Sequence, residues 1–225
     1  AVWSAPPSLT LPAVAMELQA SSVKVGAQNL HWESNGAYTG EISAEMLTEH
    51  AGHFAIIGHS ERRTHFGETN ETAAMRAIAT IEAGLIAAFC IGETERERTD
   101  NRTQEVLSSQ LDPLLSQIND PRRASSLLLC YEPVWAIGSG AAASLTQIEE
   151  VHQFLRDHWS NSVLGSKGVD CPPLIYGGSV SPDNFAEIIA SPLVSGALVG
   201  GASLVAEKFL KLVEIAQSSM GESVA

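Results

Sequence analysis

Leu-Leu-Leu-Cys-Tyr-Glu-Pro-Val-Trp-Ala-Ile-Gly-Ser-Gly (Leu127–Gly140) decides how the rest of the chain is read. Its first five residues are continuously apolar, as a strand covered on both faces tends to be. A single carboxylate, Glu132, follows. Pro133 then stiffens the chain, while Gly138 and Gly140 permit backbone conformations closed to other residues. Three small residues, Ala141–Ala143, complete the stretch. A stiff start, a permissive tip and a small end are what a hinged lid requires.

Outward from this stretch, short apolar runs alternate with amphipathic ones. Strands are expected near Val2–Ser4, Val23–Gln28, Phe54–Ile57, Leu85–Cys90, Leu127–Tyr131, Leu174–Tyr176 and Ala197–Val199. Between them, Ala74, Ile78 and Ile81 share one helical face, and Gly84 is placed to stop that helix. Ile148, Val151 and Leu155 share another face, with Thr146 and Glu149 as a capping-box pattern before it. A last helix is expected near Val205–Ile215. Strands alternating with helices argue for a parallel sheet. Seven strand–helix units are present, whereas a closed α/β barrel has eight, over typically about 250 residues.

Composition narrows the function. The chain has 225 residues and a net charge of −13, which disfavours nucleic-acid and anionic-membrane partners. Any anionic substrate must therefore be held by local groups, such as backbone amides at loop and helix N-termini. Three widely spaced cysteines, Cys90, Cys130 and Cys171, show no metal-ligand spacing and fit a reducing compartment. No apolar run reaches a membrane span, and no signal-peptide pattern opens the chain. With no linker or low-complexity tract, residues 1–225 read as one α/β domain.

The unusual residues lie just past the strands, where a parallel barrel gathers its active site. An isolated Glu before Pro is usually a capped or ion-paired loop residue. The lid pattern after Glu132 instead suggests a general base. His59 lies in Gly-His-Ser-Glu-Arg-Arg (Gly58–Arg63), at an expected helix start that disfavours the imidazolium, so a neutral, hydrogen-bond-donating ring is expected. The other six histidines have no such setting. Gly177–Gly178 and Gly200–Gly201 would each pass as plain turns. On the last two strands together, and with Ser179 beside the first pair, they suggest a phosphate site.

These four motifs (Gly58–Arg63, Tyr131–Gly140, Tyr176–Val180 and Leu198–Leu204) together resemble the triosephosphate isomerase family. Ala27-Gln28-Asn29, Gly36–Ser43 and Cys90–Glu93 also match, so the resemblance spans nearly the whole chain. It implies a TIM (β/α)8 barrel, with seven of its eight units in this chain. It implies interconversion of dihydroxyacetone phosphate and glyceraldehyde 3-phosphate, in glycolysis and gluconeogenesis, without metal or cofactor. Glu132 would move the proton through an enediolate and His59 would polarise the carbonyl. Gly138, Ser179, Gly200 and Gly201 would hold the phosphate. The resemblance also implies a cytoplasmic homodimer, with Trp32–Tyr38 reaching into the neighbouring subunit.

The chain departs from the family pattern in two places. The family opens with a strand ending in Asn-x-Lys, whose lysine offsets substrate charge. No Asn-x-Lys occurs here, and Lys24 lies too early in its strand to replace it. The expectation is a domain incomplete at its N-terminus, with two open sheet edges and with Glu61, the lysine's partner in the family, left as a costly buried carboxylate. The alternative is a catalytically impaired phosphate-binding barrel. The lid also ends in Ala141–Ala143 where the family often has Lys-Thr-Ala.

Overall fold

The computed structural model describes residues 1–118, 120–137 and 142–221. In chain order the elements are β1 (Trp3–Ser4), α1 (Leu11–Leu18), β2 (Lys24–Ala27), α2 (Ala44–Glu49), β3 (Phe54–Ile57), α3 (Ser60–His65), α4 (Asn70–Glu82) and β4 (Ile86–Ile91). Then follow α5 (Glu95–Thr99), α6 (Thr103–Gln117), α7 (Pro121–Ala124), β5 (Leu127–Tyr131), α8 (Leu145–Ser160), α9 (Val163–Ser166), β6 (Leu174–Tyr176), α10 (Phe185–Ala190), β7 (Gly196–Ala197) and α11 (Ala206–Gly221).

All seven strands are parallel, and their order in the sheet is their order in the chain. This is the architecture of an α/β barrel of the TIM type, as the alternating pattern indicates. Among the described residues β1 pairs only with β2 and β7 only with β6, so each leaves one edge unpaired.

The continuous apolar runs are explained by burial on both faces. Ala55 and Ile57 of β3, Ala87, Phe89 and Ile91 of β4, and Leu127, Leu129 and Tyr131 of β5 pack outward into the core shared with the helices. The alternate residues Phe54, Ile56, Ala88, Cys90 and Cys130 pack on the inner face, with Trp3, Ile175 and Leu198. Each fully buried Leu or Ile contributes about 1.5–3 kcal/mol. No helix among the described residues is long and apolar enough to cross a membrane.

Several boundaries differ from expectation. Gly84 does end its helix, in a left-handed conformation (φ 78°). The capping box of α8, however, lies two residues before Thr146 and Glu149. The Ser144 hydroxyl accepts from Gln147 N, and the Gln147 side chain receives Ser144 N. Both pairs fit the Ser/Thr-x-x-Glu/Gln pattern, and the helix starts at the earlier one. Glu149 instead accepts from the Ser191 hydroxyl at 2.8 Å and ties α8 to the end of α10. β7 spans Gly196–Ala197 rather than Ala197–Val199, and α11 runs six residues past Ile215.

Replacing Ser144 by Ala should lower unfolding stability by about 1 kcal/mol. Replacing Thr146 by Ala should change it by less than about 0.5 kcal/mol. Urea denaturation of the two variants distinguishes the two capping sites.

Candidate active site

The register of the central strands places three chain segments side by side. Ile91 pairs with Tyr131, and Tyr131 with Tyr176. The next residues, Gly92, Glu132 and Gly177, therefore emerge together at the carboxyl ends of the strands. Two hydrogen bonds extend the ladder past its last pairs: Glu132 N donates to Ile91 O at 2.8 Å, and Gly177 N donates to Tyr131 O at 2.7 Å. Glu132 fits there only because its neighbours lack side chains. A Cβ on Gly92 would overlap the Glu132 carbonyl, and one on Gly177 would come within 2.9 Å of Glu132 Cγ.

The Glu132 side chain is 2% exposed. Its Oε2 accepts from Ser60 N at 2.8 Å, and its Oε1 lies 2.9 Å from His59 Nε2. His59 arrives from the end of β3 as the residue before α3. Its Nδ1 accepts from Glu61 N at 3.3 Å. With the Nδ1 lone pair engaged, the neutral ring carries its proton on Nε2, facing Glu132. Burial pulls the imidazole towards neutrality, but contact with Glu132, helped by Glu61 and Glu68, outweighs it and raises the pKa above the ordinary 6.5. The helix start alone would favour the neutral ring, as expected from the sequence. In the structure the carboxylate opposes it.

Ser179 is half-buried, with its carbonyl accepting from Asn184 Nδ2 at 3.1 Å. Gly200 and Gly201 follow β7 and are exposed, with no atom within 4 Å of where a Cβ would stand. Gly201 opens a short 3-10 turn. None of Gly177, Gly178, Gly200 and Gly201 has a positive φ. The first pair is therefore glycine for clearance against Glu132 and Tyr176, and the second leaves open space. Gly138 lies outside the described residues.

Glu61 is exposed, so the cost expected of a buried unpaired carboxylate does not arise. Lys24 sits at the first residue of β2, away from the strand's carboxyl end, with its ammonium 5.4 Å from the Trp3 ring centroid. Among the described residues, no group of three or more His, Cys, Asp or Glu could hold a metal ion.

Sequence reading assigned no role to Glu93, which is fully buried at the end of β4. Its Oε1 receives Arg98 Nη1 at 3.0 Å, the Tyr131 hydroxyl at 3.1 Å and Trp135 Nε1 at 3.0 Å. Its backbone carbonyl accepts from Val134 N at 3.1 Å. Arg98 also stacks on the Trp135 ring. One carboxylate thus anchors the chain on both sides of Glu132. Its only local signal was a Gly-Glu pair just past an apolar run.

The triosephosphate isomerase family model matches residues 1–216. The chain belongs to the triosephosphate isomerase family. It is 43% identical over 207 residues to the triosephosphate isomerase of Synechocystis sp., covering 92% of this chain and 81% of that relative. It is 42% identical over 211 residues to that of Xanthomonas euvesicatoria, covering 94% and 83%. The crystal structure of triosephosphate isomerase from Bartonella henselae superposes with a TM-score of 0.85 at 36% identity, covering 96% of this chain and 86% of that one. The family is one of isomerases, and its barrel is the fold described above.

The raised His59 pKa has a consequence for stability. The ionic part of the contact with Glu132 contributes fully below the ordinary 6.5 and is lost as pH rises through the folded-state value, leaving the neutral hydrogen bond. The stability difference between the parent chain and His59→Gln should therefore shrink from about pH 6 to about pH 9. Denaturant unfolding across that range measures it.

Proposed function

We propose that the chain interconverts dihydroxyacetone phosphate and glyceraldehyde 3-phosphate, with Glu132 as the base and His59 as the electrophile. The observation that carries this reading is the buried Glu132 carboxylate 2.9 Å from His59 Nε2, at the common end of the strands. The family and its named relatives supply the substrate class.

In this proposal the substrate enters between the two side chains. Glu132 leaves Ser60 N, takes the proton from one carbon and returns it to the next. His59 donates from Nε2 to the carbonyl oxygen and then serves the neighbouring oxygen of the enediolate, which is the family's known division of labour. Separation from Glu132 removes the contact that raises the His59 pKa, so the ring acts as a neutral donor. Gly138, Ser179, Gly200 and Gly201 hold the phosphate. The open space at Gly200 and Gly201 supports close approach of an anion to their amides. No metal or organic cofactor enters this chemistry. The segment after Glu132 closes over the site, because an enediolate phosphate exposed to water expels its phosphate.

The same reading makes the chain a cytoplasmic homodimer. His31, Trp32 and Tyr38 form a ring cluster, with centroids 4.1 and 4.3 Å from His31, at the base of a mostly exposed loop. The exposed Leu9, Met46 and Phe66 supply further apolar surface for a second copy.

The test is a coupled isomerase assay. Glu132→Gln should lower kcat by about 10³-fold or more, and His59→Gln by about 10²-fold. Gly201→Ala should raise KM while leaving kcat within a few-fold, because it obstructs binding rather than proton transfer. A folded chain that binds inorganic phosphate but does not turn over triose phosphate would overturn the reading. The impaired phosphate-binding barrel would then stand in its place.

A further inference from the structure

Four arginines surround the mouth, and three of them meet carboxylates. Arg62 Nε lies 2.8 Å from Glu68, Arg98 Nη1 lies 3.0 Å from Glu93, and Arg76 lies 3.5 Å from Glu41 and 3.6 Å from Glu68. Arg63 does not. Its three partners are neutral oxygens: Nε donates to Gly58 O at 2.8 Å, Nη1 to Asn70 Oδ1 at 2.7 Å, and Nη2 to Cys90 O at 3.2 Å. Burial pulls this guanidinium below its ordinary pKa. A largely buried cation without a contacting carboxylate is costly, and such violations concentrate at functional sites.

The position of Arg63 shows what the arrangement does. The last ladder pair between β3 and β4 is Ile57 with Phe89. The next residues, Gly58 and Cys90, are where the two strands part, and it is their carbonyls that Arg63 bridges. Gly58 takes a left-handed turn (φ 75°), and a Cβ there would meet Cys90 O at 2.9 Å and Arg63 Nη2 at 3.0 Å. Glu68 Oε1 accepts Gly58 N at 2.8 Å, so the glycine is held at both its amide and its carbonyl. His59 is the next residue.

We propose that Arg63 is a positioning residue for the reaction: by bridging the Gly58 and Cys90 carbonyls it fixes the Gly58–His59 peptide, and with it the placement of the His59 imidazole against Glu132. This rests on the isomerase reading of the Glu132–His59 pair. Arg63 does not touch the reacting atoms. It holds the turn that aims one of them. The planar fork matters as much as the charge, because a single ammonium cannot reach three acceptors spread around a guanidinium.

The experiment combines kinetics with nitrogen-15 NMR of the histidine rings in Arg63→Gln and Arg63→Lys. In Arg63→Gln, kcat should fall by about 10²-fold with KM within about twofold, the signature of lost placement rather than lost binding. At a pH above its folded-state pKa, where the ring is neutral, His59 should pass from a single Nε2–H form to a mixture of tautomers, and Arg63→Lys should not rescue either readout. The proposal is overturned by a folded Arg63→Gln that keeps kcat or the single tautomer, or by full recovery in Arg63→Lys. If Arg63→Gln does not fold, Asn70→Ala removes one anchor of the guanidinium and should show both effects in weaker form. No change in that variant also overturns the proposal. Should the parent chain itself not turn over, the isomerase reading fails, and the tautomer measurement still decides the role of Arg63.

Discussion

The parallel ladder from β3 to β6 is the constraint on which the mouth depends. Parallel pairing places residues far apart in the chain at the same height, and the register fixes which ones. Because Ile91, Tyr131 and Tyr176 stand in line, Gly92, Glu132 and Gly177 leave the sheet together. A shift by one residue would turn Tyr131 inward and point Cys130 at the helices. It would also bring a side chain against Glu132 where glycine is now required. The outward core locks the register, since Phe89, Leu129 and Tyr131 are all fully buried.

Once the ladder has placed the backbone, buried polar groups place the side chains. Glu93 illustrates the energetics. An isolated buried carboxylate would be prohibitively costly, yet this one receives an arginine, a phenol and an indole on a single oxygen. Burial and the neighbouring Glu93 charge together push the Tyr131 phenol well above its ordinary range, so it remains a donor. The network rigidifies the chain before and after Glu132. Its members come from the end of β4, α5, the end of β5 and the turn that follows, so loosening any one element loosens the stretch around Glu132.

Much of this was legible in the sequence, and what was not has a physical reason. The strands Phe54–Ile57, Leu127–Tyr131 and Leu174–Tyr176 were readable to the residue, because burial on both faces demands unbroken apolar runs. Glu132 and His59 stood out through their flanking residues, but nothing local reported that they touch across 73 positions. Glu93 and Arg63 were missed for the same reason. Cys90 for Arg63, and Tyr131 and Trp135 for Glu93, are partners remote in the chain, and a Glu or Arg just past an apolar run looks like any solvated loop residue. β7 was misplaced because Leu198 and Val199 continue the apolar run, while pairing stops at Ala197. The capping box of α8 was misread because two overlapping patterns compete, and local composition does not rank them.

The same accounting bears on how so acidic a chain could hold an anion. At a net charge of −13 the long-range field repels phosphate. The cations near the mouth do little to reverse this, since Arg62, Arg76 and Arg98 are each matched to a carboxylate and Lys24 lies over Trp3. Affinity must therefore arise at short range, from oriented amides that attract an anion without carrying net charge. Glycine suits that task because it would let an anion approach the backbone itself, and Gly200 and Gly201 leave such space open. Arg63 is the exception that fits the rule. Its guanidinium touches no carboxylate, though Glu68 and Glu132 act on its charge from further away, and its contacts are all directed at the protein's own carbonyl oxygens. Those contacts hold the Gly58 turn in place.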